Sequence, residues 1–113
     1  MSVTPQSSAT NPAPQTLDEA FAVINDELLQ MFLKKHKDYG KGNILSVREM
    51  GIVFRMAEKI ERLKNLLMKG EAPANESIDE TLIDIGVYAN IALLLRRGQF
   101  EKLEVNQDIL NKI

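Results

Sequence analysis

The sequence predicts an all-α fold, a core of three helices with a short C-terminal helical segment. Apolar residues recur at three- and four-residue intervals through three long segments, the period of one helix face. Each segment carries helix start or stop signals at its ends. No stretch alternates apolar and polar residues as a half-buried strand does, and no hairpin turn signal is present.

The first helix opens at Thr16-Leu-Asp-Glu19, a capping box that satisfies free N–H groups at a helix start. Phe21, Ile24, Leu28 and Phe32 form its apolar stripe. Lys34, Lys35 and Lys37 fall near its end, where cations complement the helix dipole, and Gly40 and Gly42 break it. Ser46-Val-Arg-Glu49 reads as a second capping box. It opens a helix whose apolar face carries Met50, Val53, Ala57, Ile60, Leu63 and Leu67, stopped by Gly70 with Pro73 just beyond. The third helix begins near Asn75 or Ser77, runs to Arg96 or Arg97 and ends at Gly98. Between Ile85 and Leu95 it is apolar nearly all round, the pattern of a helix covered on several sides. Three helices can hardly surround it within one chain. A homo-oligomer is therefore expected, a dimer or higher, with this helix near the interface. From Gln99 the residues Phe100, Leu103, Val105, Ile109 and Leu110 suffice for one or two short helical turns.

Residues 1–16 carry no charge and are rich in Ser, Thr, Gln, Pro, Asn and Ala. Such a composition buries too little apolar area to offset the entropy of ordering, so a disordered tail is expected there and a single helical domain over 17–113. The tail lacks the basic and apolar regions of a signal peptide, and the run from Ile85 to Leu95 is about half of the roughly 20 residues that span a bilayer. No membrane association is expected, and a cytoplasmic setting is. There is no Cys in the 113 residues and one His, which excludes disulfides, thiolate sites and multi-His metal centres within one chain. A net charge of -2 argues against DNA or RNA binding. Any metal site must be carboxylate-rich, which favours Mg²⁺, with Mn²⁺ as the alternative.

Glu76, Glu80, Asp84 and Tyr88 are spaced four apart along the third helix and form a slowly drifting stripe. Stacked like charges repel, so the three acids call for a cation or a facing basic set. The second helix offers both. Glu58 and Glu61 flank its apolar face on one side, and Arg55, Lys59 and Arg62 gather on the other. If the two helices pack antiparallel, Glu58, Glu61, Glu80 and Asp84 form a candidate Mg²⁺ site, with Arg55, Lys59 and Arg62 holding phosphates. The plain alternative is a set of solvated faces and salt bridges. In the loop KKHKDYGKGN, Tyr39 is a candidate to stack on a base, with Lys37 and Lys41 near phosphates. His36 reads there as a solvated helix-end residue.

The run KDYG, the RxxxKxxR spacing of Arg55, Lys59 and Arg62, and ESIDETLIDIGVYA together resemble the nucleotide-modification-associated domain 1 family. That family is small, helical and frequent in phages, and its resemblance spans roughly Lys37 to Leu95. It implies a role in nucleotide metabolism. More distantly, the chain is similar to the all-α nucleoside triphosphate pyrophosphatases of the MazG and dimeric dUTPase type. Those bind Mg²⁺ through EExxE on one helix and ExxD on the next. Glu58 and Glu61 match the first motif, but Ala57 replaces its first Glu. Asp84 matches the second, followed four residues later by Tyr88, but Thr81 stands where the Glu belongs and Glu80 is adjacent.

Three functions follow as expectations. The first is a Mg²⁺-dependent pyrophosphohydrolase, with Glu61 and Asp84 catalytic and Tyr39 and Tyr88 contacting base or sugar. The second is a non-catalytic phage protein that sequesters a nucleotide or cyclic-nucleotide signal. The third is a helical oligomeric interaction module.

Overall fold

The computed structural model describes residues 12–69 and 74–113, with side chains left out at 74–77. The elements are α1 (Leu17–Tyr39), α2 (Gly42–Lys69), α3 (Ala74–Arg96), α4 (Gln99–Lys102) and α5 (Gln107–Asn111). The all-α expectation holds: three long helices pack together and no strand occurs among the described residues. The expectation of a tail over 1–16 falls largely outside the described residues.

Thr16 caps α1 as its sequence predicts, its Oγ1 accepting from the Glu19 N–H at 3.3 Å. The reciprocal arm of the capping box is displaced by one residue. Glu19 Oε1 accepts from the Gln15 N–H at 2.8 Å instead of reaching the cap residue itself. At the other end Gly40 turns the chain at φ 68, ψ -158, a region open essentially to glycine, and its N–H donates to the His36 carbonyl.

The start of α2 differs from expectation. Gly42 does not break the chain but begins the helix, and Ser46 forms no cap; its Oγ donates to the Asn43 carbonyl at 2.8 Å. The break lies two residues later, at Arg48, with φ 56 and ψ -162. The reason is apolar. Ile44, Leu45 and Val47 pack against the core, so residues 42–47 coil into a first turn before the long segment sets off in a new direction. At the kink Val47 folds over Gly51. A Cβ there would overlap both Val47 Cβ and its Cγ2, the latter at 2.6 Å. Gly51→Ala is therefore expected to lower stability by about 1–2 kcal/mol, overpacking outweighing the helix-propensity gain, and a urea midpoint comparison reads it.

α3 is the central element. It packs most extensively on α2, then on α1, and α4 folds back onto it. Thr81, Val87, Ile91 and Leu95 are its buried residues, Ile52 of α2 is fully buried, and Phe100 of α4 closes the cluster. At Gly86, Leu28 of α1 comes within 2.9 Å of where a Cβ would sit, so the missing side chain sets the closeness of α1 and α3. Within one chain α1, α2 and α4 bury Thr81, Val87, Ile91 and Leu95, while Ile85, Ala89 and Leu94 stay partly exposed and Leu82 and Leu93 half exposed.

The predicted apolar face of α2 is also corrected. Ile52 and Met56 point to the core, with Lys59, Leu63 and Leu66 partly buried beyond them. Of the predicted stripe Leu63 alone is partly buried; Met50, Val53, Ala57, Ile60 and Leu67 are exposed. Among the described residues no helix is long and apolar enough to cross a membrane.

Candidate functional site

A cleft of about 190 Å³ opens where the C-terminal end of α1, the first half of α2 and the middle of α3 meet. Val87, Ile91 and Phe100 belong to both its lining and the buried core, so its floor is apolar. Lys35, His36, Arg55, Asp84 and the two tyrosines give it a polar wall and mouth.

Each polar group is placed by its element. Arg55 stands on the first half of α2, and its Nη2 donates to Asn43 Oδ1 at 3.2 Å, which ties it to the turn before the kink. A guanidinium carries five N–H donors, so this bond leaves others to face an anion. Asp84 enters from α3, only 20 % exposed, and accepts from Lys59 Nζ at 3.0 Å. This part-buried ion pair positions the carboxylate while leaving it further acceptor capacity. His36 is half-buried and lies against Phe32, ring centres 5.4 Å apart. It is a cleft residue and not the solvated helix end that its basic neighbourhood suggests.

Of the residues singled out from the sequence, the fold brings together Arg55, Asp84, Tyr39 and Tyr88 in this lining, with Lys59 joined to it through Asp84. Tyr88 is partly buried, while Tyr39 is largely exposed at the rim. Arg62 is exposed and outside the lining. Glu58, Glu61 and Glu80 are exposed as well, and Glu61 lies 3.8 Å from Lys64 of its own helix. The side chain of Glu76 falls outside the described residues. Among the described residues no group of three or more carboxylate or imidazole ligands converges on one point. Ala57 is exposed and Thr81 buried, so the two positions that depart from the pyrophosphatase motifs lie in opposite environments.

The two loop lysines are committed elsewhere. Lys41 Nζ bonds the Leu103 carbonyl at 2.7 Å and Glu104 Oε2 at 2.8 Å, and it lies 6.0 Å over the Phe100 ring. It is a tether for the segment after α4, and its ammonium holds the Glu104 carboxyl below the usual carboxylate range. Lys37 donates to the carbonyl of Ile113. Neither faces the cleft.

Sequence reasoning missed Lys35, His36, Asn43 and Phe100 as cleft residues. Lys35 and His36 sit one turn before Tyr39, a spacing that puts all three on neighbouring faces of α1. Asn43 and Phe100 reach the cleft through the turn at Gly40 and the fold-back at Gly98, which no spacing reports.

Comparison with curated proteins and with solved structures gives no match. A family model, nucleotide modification associated domain 1, matches residues 35–95, just over half of the chain. The match takes in Lys35, His36 and Tyr39 of the cleft wall on α1 together with α2 and nearly all of α3, which carry Arg55, Lys59 and Asp84. The chain belongs to the nucleotide modification associated domain 1 family.

Proposed function

We propose that the chain binds a nucleotide in the cleft between α1, α2 and α3. What supports this reading is the convergence of Arg55, Lys35 and His36 around an apolar, aromatic floor, within a family linked to nucleotide modification. The base lies over Val87, Ile91 and Phe100, with Tyr88 beside it. Asp84 accepts from a ribose hydroxyl or a base amino group. The cavity is smaller than the roughly 300–1,000 Å³ that encloses a drug-sized ligand, so one ring system fits and the phosphates lie at the mouth, on Arg55 and Lys35. A cytoplasmic nucleotide pool is the setting this implies.

Mg²⁺-dependent pyrophosphate release is a separate property. Among the described residues no three acids converge on one point, and no hydrolytic step is part of this reading.

Thermal melting against nucleoside mono-, di- and triphosphates and cyclic nucleotides, each with Mg²⁺ and with EDTA, tests the reading. A ligand at about 100 times its dissociation constant adds about 2.7 kcal/mol to the native state. For a chain of this size that raises Tm by roughly 10 °C. A rise that persists in EDTA is the expected result. A rise that needs Mg²⁺ returns Glu58, Glu61, Glu80 and Asp84 to the metal role. Indifference to every nucleotide overturns the proposal and leaves a helical interaction module.

A further inference from the structure

Among the described residues nothing covers the outward face of α2. Met50 is 65 % exposed, Ile60 50 % and Leu67 59 %, and Val53 and Ala57 lie between them on the same side. The positions 50, 53, 57, 60, 64 and 67 alternate steps of three and four. That is the 3.5-residue period of a two-helix seam, not the wider stripe of a helix laid on a globular core. Lys64 is the one polar member, and its long apolar stem can cover a neighbour while the ammonium stays in water beside Glu61, 3.8 Å away. The core-facing residues Ile52 and Met56 are on another side, so among the described residues the seam lies apart from the core contacts.

The order of residues along this seam is self-complementary. Reversed end for end, Met50 meets Leu67, Val53 meets Lys64 and Ala57 meets Ile60. Each of these layers joins positions equidistant from the point midway between 58 and 59. A two-fold axis through that point stacks all six layers at once, and the small Ala57 on either side of it allows the two backbones to approach. With Phe54 and Met68 on its flank, 64 % and 77 % exposed, the face presents on the order of 700 Å² of apolar residue surface. That exceeds the roughly 300–600 Å² of the largest patch on an ordinary monomer and comes close to the roughly 800 Å² per partner of a stable interface.

We propose that the chain is a homodimer in which α2 packs antiparallel on α2 of a second copy, about a two-fold axis between Ala57 and Ile60. The cleft opens on the Arg55 side of α2, away from this seam, so dimerisation leaves it free. The inference does not rest on the nucleotide reading.

Sedimentation equilibrium at micromolar concentration is expected to give twice the mass of one chain. Ile60→Glu buries a charge in two layers of the seam and is expected to raise the dimer dissociation constant by at least about 100-fold, with the helical circular dichroism unchanged. Because the chain has no cysteine, single-cysteine variants report register directly. Mixing Val53→Cys with Lys64→Cys chains is expected to give the crosslinked heterodimer in excess of either homodimer. A monomer, a dimer that Ile60→Glu leaves intact, or crosslinking that favours the Val53→Cys homodimer overturns the proposal. So does preferential crosslinking of Ala57→Cys to Phe21→Cys, which would seat α1 of the second copy on this face.

Discussion

Phe100→Ala is expected to lower the unfolding free energy by about 4 kcal/mol, the cost of removing a buried aromatic ring and leaving its cavity. In a domain of this size that corresponds to a fall in Tm of roughly 15 °C. Phe100 sits on a four-residue helix that local propensity alone would not hold, since isolated helices that short do not persist in water. It is nevertheless 5 % exposed, packed in one cluster with Ile52, Val87, Ile91 and Leu95. Its ring also lies under the Lys41 ammonium, so its loss loosens the contact that ties the C-terminal segment to the α1–α2 turn. Urea unfolding with an unchanged slope and a lower midpoint is the result to look for. A Tm change of only a few degrees would mean that α4 is an appendage and that α1, α2 and α3 form the core without it.

Arg55→Glu is expected to weaken nucleotide binding at least about 100-fold, because reversing a charge aimed at phosphate removes an attraction and adds a repulsion. Arg62→Glu makes the same change in net charge on the same helix, but Arg62 is exposed and outside the cleft. Its effect is expected to stay within about threefold at physiological salt, where exposed charges beyond a Debye length are screened. Isothermal titration of both variants with the ligand found by melting separates site chemistry from bulk electrostatics. Equal losses in the two would place the phosphates on the general surface of α2 and not in the cleft.

Much of the architecture is legible from local chemistry. Thr16 and Gly40 bound α1 where a cap and a glycine-specific turn require, and Gly98 ends α3 at φ 68. The all-round apolarity of α3 foretells its central position. The start of α2 is not legible in the same way. Ser46-Val-Arg-Glu49 has the residues of a capping box, yet Ile44, Leu45 and Val47 gain more by packing on the core, and the break moves to Arg48. The same competition misleads the assignment of α2's faces. A 3.5-residue stripe announces that something packs there, but it does not say whether the partner is α3 or a second chain.

The candidate site divides along the same line. Arg55, Lys59, Asp84, Tyr39 and Tyr88 stand out because charge and aromatic type are visible at each position. Which of them meet depends on helix rotation. A turn of α2 by about 100° per residue separates Arg55, which lines the cleft, from Glu58 and Glu61, which face solvent. Composition and periodicity suffice for an all-α chain with three long helices and for its lack of thiol chemistry, since these depend on residue types and local backbone preferences. Packing decides that Asp84 pairs with Lys59, that Lys41 serves the C-terminal segment and that His36 enters the cleft. Those outcomes turn on which side of each helix the buried side chains of its neighbours claim, a long-range condition that residue spacing along one helix does not contain.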